Sequence, residues 1–411
     1  MVYPVAAPPI EGGVVVLQNG RIAEVGRRVP AGVTEHDLGD VALLPGLVNA
    51  HCHLEFSSRK TRLGKQGISL HKWVRLVIGQ RQTAARVGKA ITQGLADSVA
   101  LGVTTLADIC RIATPAYTSA GIMPRLVILQ EAIGYSQARA ASATAGVEQN
   151  LAELGDLAAD ADTDAARITM GVSPHAPYTA SPALVRELVS VAVERGAPVA
   201  LHLAESEEEL ELISAGSGPF QQLLEERGMW DPWAIQRGAS PMDYLRILTK
   251  APRALVVHGN YLDDASLAMM GRHAGAMSLV YCPRTHAYFG HPSYPLSRAI
   301  SMGVRVCLGT DGLGSNPDLS LLSEMREVAR RHPQVSPESV LRMGTLSGAE
   351  ALGLERVAGC IRPGMPADLV SVPLPPGSSG GALGVLEAVL GDEQPVSGVW
   401  LEGAAVTPAE A

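Results

Sequence analysis

Eight short apolar runs punctuate the middle of this chain, each separated from the next by longer stretches rich in Ala and Leu. The runs are Leu43–Ala50, Val103–Asp108, Leu126–Gln130, Ile168–Ser173, Val199–Leu203, Leu255–His258, Ala276–Cys282 and Val304–Gly309. The intervening segments carry helical patterns such as SPALVRELVSVAVERG. Strand–helix alternation implies a parallel sheet, because parallel neighbours need a long crossover between them. Eight such units fit an α/β fold of the (β/α)8 TIM-barrel type.

The two ends of the chain read differently. Val14 to Gln18 and Ile22 to Val25 flank Asn19-Gly20, a strong hairpin signal. Ala367 to Val372 and Val396 to Leu401 look like further short strands, with a turn at Glu402-Gly403 and a Gly/Ser/Pro loop, LPPGSSGGALG, between them. Residues 1–43 and 363–411 are each too short to bury a core alone. They are expected to build one small β-sandwich domain together, attached to a barrel spanning 44–362. Residues 56–86 read as a loop plus helix covering the end of the first barrel strand, and residues 140–164 as an exposed helix and loop.

Composition narrows the partners. Lys plus Arg is 33 against 41 Asp plus Glu, a net charge of −8. With no basic block evident at that level, nucleic acid and anionic membranes are not expected partners. Aromatic residues are 4% of the chain, thin for a base-stacking platform. No apolar run approaches the roughly 18 residues of a membrane span. The N-terminus, MVYPVAAPPIEGG, shows no signal-peptide pattern. Cys52, Cys110, Cys282, Cys307 and Cys360 are odd in number and far apart. All this suits a small-molecule protein of a reducing cytoplasm.

In barrels of this kind chemistry sits at the C-terminal ends of the strands. The first run ends in His51-Cys52-His53, the fourth is followed by Pro174-His175, and the fifth ends at His202 with Glu205 three residues on. The sixth ends in His258, and Thr310-Asp311 follows the eighth. The spacing of His51 and His53 puts both imidazoles on one strand face, which suits a metal pair or a wetted strand end equally well. His202 or Asp311 alone suits a cap or turn. Together the four offer three nitrogens and one oxygen at one mouth, with coordination left open for water. Cys52 should point away from such a site.

The stretches LLPGLVNAHCHLEFS, VSPHAPYT, ALHLAESEEE, VVHGNYL, CLGTDGLGSNPDLSLLSEMR and RPGMPADLVSV resemble the amidohydrolase superfamily over nearly the whole chain. His202-Leu203-Ala204-Glu205 resembles the HxxE of the branch that deaminates cytosine, guanine, S-adenosylhomocysteine and related purine nucleosides. Within it, VNAHCHLEFS and the long following loop look most like 6-aminodeoxyfutalosine deaminases of the menaquinone route. The resemblance implies that His51, His53, His202 and Asp311 hold one divalent metal, zinc first, with iron and manganese as alternatives. Binuclear members use a carboxylated lysine at the fourth strand. The corresponding ITMGVSPHAP carries none, so one metal is expected, with His175 touching substrate.

The implied reaction is hydrolytic deamination of an adenine-type nucleoside: 6-aminodeoxyfutalosine, S-adenosylhomocysteine, methylthioadenosine or adenosine. A divalent cation lowers the pKa of water toward neutrality. Asp311 takes a proton from that water, Glu205 protonates the ring nitrogen as general acid, and His258 holds the water and helps ammonia leave. Glu207, Glu208 and Glu209 read as acidic residues suited to a helix N-terminus. Trp73 and His71 lie on the long first loop, which in nucleoside-deaminating relatives closes over the sugar. Trp73 would then pack on substrate, although its spacing with Leu76 and Val77 equally suits a core. Phe56 and Tyr178 are further rings a purine could meet. Arg75, Arg81 and Arg125 could meet an anionic tail or simply be solvated, and Glu131 and Tyr135 have the same standing. Ser315 and Asn316 are expected to shape the loop after Asp311. Relatives are often dimers, so a homodimer is an expectation too. The competing readings are a guanine, cytosine or triazine hydrolase of the same fold, and a scaffold without activity.

Overall fold

A computed structural model describes residues 1–80, 82–118, 123–160, 167–375 and 381–406. Its centre is an eight-stranded parallel sheet. In chain order the strands outside and inside it are β1 (Val14–Gln18), β2 (Arg21–Gly26), β3 (Val41–Pro45), β4 (Leu47–Cys52), β5 (Val103–Cys110), β6 (Arg125–Ala132) and β7 (Ile168–Pro174). They continue with β8 (Pro198–Leu203), β9 (Arg253–His258), β10 (Met277–Tyr281), β11 (Arg305–Leu308), β12 (Leu369–Pro373), β13 (Gly398–Leu401) and β14 (Ala404–Val406). Strands β4 to β11 pair in sequence order. The sheet closes on itself where Thr310 and Asp311 donate backbone N–H bonds of 3.0 and 3.1 Å to the His51 carbonyl. The expected (β/α)8 barrel is therefore present.

Alternation along the strands fills it. Ala107 and Ile109, Val127 and Leu129, Ala200, Leu255 and Val257, and Val280 form one buried cluster. Their neighbours of opposite parity, such as Leu106, Ile128, Leu201 and Val256, pack into another cluster with helix residues such as Leu95, Leu184 and Leu267. The barrel centre is packed core, not a pore, so a ligand must enter at the mouth.

The run Leu43–Ala50 is two strands rather than one. β3 pairs antiparallel with β12 in a four-stranded sheet ordered β14-β13-β12-β3, and only β4 enters the barrel. Gly46 makes the break. Its N–H donates 2.9 Å to the Asp368 carbonyl, and a Cβ there would lie 2.0 Å from Thr104 Oγ1. Gly46→Ala is expected to destabilise the protein by about 1–3 kcal/mol through overpacking, read as a lower denaturant midpoint. Ile22 of the hairpin β1–β2 shares one buried cluster with Leu43, Met365 and Leu369 of the four-stranded sheet and its approach.

One further expectation needs correction. Part of the C-terminal Gly/Ser/Pro segment is the helix Gly381–Gly391, while residues 376–380 lie outside the described ones. Residues 56–86 contain the helix Leu70–Gly79 and the start of the helix Ala84–Ala100. The helix Gln137–Asp160 occupies most of the segment read as helix and loop. All five cysteines are free and buried. Among the described residues no helix is long and apolar enough to cross a membrane.

Candidate active site

The strand ends bring the expected residues together. Asp311 Oδ1 lies 3.6 Å from both His51 Nε2 and His53 Nε2, and His53 Nε2 lies 3.3 Å from His202 Nε2. Ligand atoms of His51, His53 and Asp311 all fall within 4.8 Å of one another, as do those of His51, His202 and His258. The His51 ring is fully buried, and among the described residues neither of its nitrogens has a hydrogen-bond partner. Orphaned polar atoms are rarely left in a native core. A metal ion would satisfy them, so the donor set fits the divalent cation that the sequence implies.

Local structure explains the convergence. Asn49 bridges the barrel seam: its Nδ2 donates 2.7 Å to Thr310 Oγ1, and its Oδ1 accepts from Thr310 N at 3.1 Å. Ser315 Oγ donates 2.7 Å to Asp311 Oδ2, leaving Oδ1 toward the histidines. Asn316 Nδ2 ties the Thr310 carbonyl to Glu324. Ser315 and Asn316 thus hold the loop after Asp311, as expected. His202 Nδ1 lies 2.7 Å from the His175 carbonyl. A carbonyl can only accept, so Nδ1 carries the proton and Nε2 keeps its lone pair for a metal. Ala204, His258 and Asp311 have positive φ of 54°, 66° and 54°. Three strained non-glycine residues at one mouth are a mark of function. Cys52 points the other way, its Sγ 3.3 Å from the Ala107 carbonyl.

Burial sets the charges. It holds His51, His53, His202 and His258 below the ordinary imidazole range, which keeps them neutral, the form a metal needs. Glu205 moves the opposite way. Burial, and then the Asp311 carboxylate, push it well above the usual carboxylate range. Its Oε1 lies 3.4 Å from His258 Nε2. A buried carboxyl pushed up beside an imidazole pushed down has the chemistry an acid–base pair requires.

The outer candidates divide. The His175 ring stands 5.1 Å from the His202 ring, centroid to centroid, and its Nδ1 is 2.6 Å from Thr179 Oγ1. Glu131 comes within 3.9 Å of His175. Trp73 is anchored, with Nε1 donating 3.1 Å to the Gly314 carbonyl and its ring edge against Phe56 and Phe289. That puts it in the wall beside the Asp311 loop. Tyr178 stacks on Phe220 at 4.0 Å, and Tyr135 on Trp230. Arg125 opens β6 at the far end of the barrel, where it pairs with Asp368 and Glu402. It joins the barrel to the small sheet and does not face the mouth. Arg75 is paired with Glu226, and His71 with Glu208. Arg81 lies outside the described residues.

Sequence reading missed Glu209. Far from being a solvated helix-start carboxylate, it is completely buried. Its two oxygens accept from Ala204 N at 2.7 Å and Glu205 N at 3.0 Å, pinning the strained turn that aims Glu205. The signal was its spacing, one helical turn beyond Glu205, masked by the acidic run around it. Glu209→Gln offers one acceptor oxygen to two N–H groups. It should lower kcat about tenfold or more while leaving metal content unchanged, as steady-state kinetics and metal analysis would show.

The amidohydrolase family matches residues 42–406. The chain belongs to the amidohydrolase family. Among relatives of this amidohydrolase is a protein of Nitratidesulfovibrio vulgaris named 5-methylthioadenosine/S-adenosylhomocysteine deaminase. It is 29% identical over 89% of this chain and 80% of its own. A zinc-bound adenosine deaminase structure from Xanthomonas campestris is 25% identical, with TM-score 0.76 over 98% of this chain and 90% of that one. Helicobacter pylori aminofutalosine deaminase shares the fold, at 22% identity and TM-score 0.82 over 99% and 98% of the two chains. Family membership and deaminase relatives make the chain a hydrolase of carbon–nitrogen bonds.

Proposed function

We propose that this amidohydrolase deaminates an adenine-type nucleoside at one divalent metal site held by His51, His53, His202 and Asp311. The observation that carries the reading is the buried Glu205 carboxyl, 3.4 Å from His258 Nε2, beside the converging His51, His53, His202 and Asp311. A metal bound there supplies Lewis acidity that makes water a nucleophile near neutral pH. Asp311 is placed to accept a proton from the attacking water. Glu205 delivers a proton to the ring nitrogen, which must gain one as electron density moves onto it. His258 orients the water and, as the C–N bond breaks, helps pass the proton held by Asp311 to the departing amino group, which leaves as ammonia, while Glu205 regains its proton from the new hydroxyl. His175 and Trp73 are assigned to substrate, His175 above the metal donors and Trp73 on the wall near Asp311. Zinc is the first candidate for the metal, supported by the zinc-bound relative. Methylthioadenosine, S-adenosylhomocysteine, adenosine and 6-aminodeoxyfutalosine are the candidate substrates.

The test is a panel of these four with zinc-loaded protein, following ammonia and the ultraviolet change from adenine to hypoxanthine. Turnover of at least one is expected. No ammonia from any of them would overturn the proposal, and release from guanine or a triazine instead would move the protein to another activity of the same fold.

A further inference from the structure

The absence of a basic block, expected from overall composition, does not hold locally. Residues 56–96 contain nine Lys and Arg and no Asp or Glu, in a chain of net charge −8. Three of these cations wall one cavity of about 390 Å³, formed by Arg59, Lys60 and Arg62 with Gln66, Tyr288 and Asn316. That volume is in the range of small-molecule sites. No carboxylate lines it among the described residues.

Other arginines have acidic partners: Arg75 has Glu226, Arg111 has Glu55, and Arg284 has Asp318 and Glu324. Among the described residues Arg59, Lys60 and Arg62 pair with no carboxylate. Arg59 Nη1 donates to Gln80 at 2.9 Å, while its Nε is buried without an acceptor. The Arg62 guanidinium lies over the Tyr288 ring, 4.8 Å from its centroid. The frame is preformed. Leu63 N donates to the Gly314 carbonyl at 2.8 Å, Gly67 N to the Tyr288 carbonyl at 2.7 Å, and Tyr288 OH to the Leu63 carbonyl at 2.7 Å. Holding three like charges around one space is unfavourable unless an anion joins them. Guanidinium forks and an ammonium are the groups that read phosphate and carboxylate oxygens.

We propose that this cavity binds a small oxyanion, a phosphate or carboxylate group. Asn316 forms part of its wall and also donates to the Thr310 carbonyl at 2.5 Å. An anion there rests against the loop that carries Asp311. The group has two sources, a free anion or the charged tail of a nucleoside. The second source rests on the proposed deaminase activity, while the binding itself does not.

The experiment titrates zinc-loaded protein with inorganic phosphate at fixed ionic strength, by calorimetry. It compares wild type, the triple variant Arg59→Gln/Lys60→Gln/Arg62→Gln, and a control, Arg86→Gln/Lys89→Gln, in the same basic stretch. In parallel it takes the KM of S-adenosylhomocysteine, whose tail carries a carboxylate, relative to that of uncharged methylthioadenosine. If the source is a free anion, phosphate binds wild type and control, weakens about tenfold or more in the triple variant, and leaves the KM ratio alone. If the source is a substrate tail, the triple variant raises the KM ratio about tenfold. A triple variant identical to wild type in both measurements overturns the proposal. Should the triple variant fail to fold, the single change Arg62→Gln at an exposed side chain is read the same way. Phosphate binding that depends on these cations, with no turnover of either nucleoside, would leave the anion site standing and remove the proposed function.

Discussion

Glu205→Gln is expected to keep the wild-type metal content and lose about 10²–10⁴-fold in kcat/KM, the range for a displaced general acid–base group. The substitution preserves shape and removes only the transferable proton. Its surroundings explain why the loss should be large. Burial, and then Asp311, push the Glu205 carboxyl well above its usual range, which favours the proton-bearing form. A raised acid is protonated below its folded pKa and ionised above it. Activity that needs the proton should therefore fall as pH rises through the folded pKa, with its limb displaced to the alkaline side of an ordinary carboxylate. The Gln variant should lose this alkaline limb. If Glu205→Gln keeps near-normal turnover, the proton-transfer role is wrong.

His202→Ala is expected to lose both metal and turnover, the latter by about 10³-fold or more as several kcal/mol of Lewis-acid assistance disappear. His202 is the donor whose tautomer is set by the protein itself, through its 2.7 Å contact with the His175 carbonyl. Its Nε2 also lies 3.3 Å from His53 Nε2. Removing it leaves His51 and His53 without their third nitrogen. Metal analysis after dialysis checks the first half of the result, and ammonia release checks the second. Full metal retention would take His202 out of the donor set.

The contrast with Glu209→Gln separates roles that all lie within a few residues of the fifth barrel strand. One change should empty the site, one should leave it filled but inert, and one should misaim it.

Much of the barrel was legible because period-two burial on both faces leaves continuous apolar runs such as Leu255–His258, and because helices must separate parallel strands. The first run misled for a physical reason. β3 and β4 are both buried along nearly their whole length, so nothing in hydrophobicity marks the break at Gly46. The Gly46 bond to the Asp368 carbonyl and the close approach of Thr104 do. The convergence of His51, His53, His202 and Asp311 could be anticipated because every barrel strand ends at the same mouth. The supports could not. Asn49 and Thr310 are 261 residues apart, and a seam that joins first strand to last has no local signature. Glu209 and Arg125 were misjudged from the opposite direction. Charged residues are usually solvated, and only the fold shows that one pins a strained turn and the other lies buried between two sheets.

The most direct measurement follows ammonia release from the adenine nucleosides by one protein sample of known metal content, before chelation, after it, and after zinc is restored. One metal per chain is expected, with activity that vanishes with the metal and returns with it, and neither metal nor activity in His202→Ala. Undiminished ammonia release from metal-free protein would contradict it.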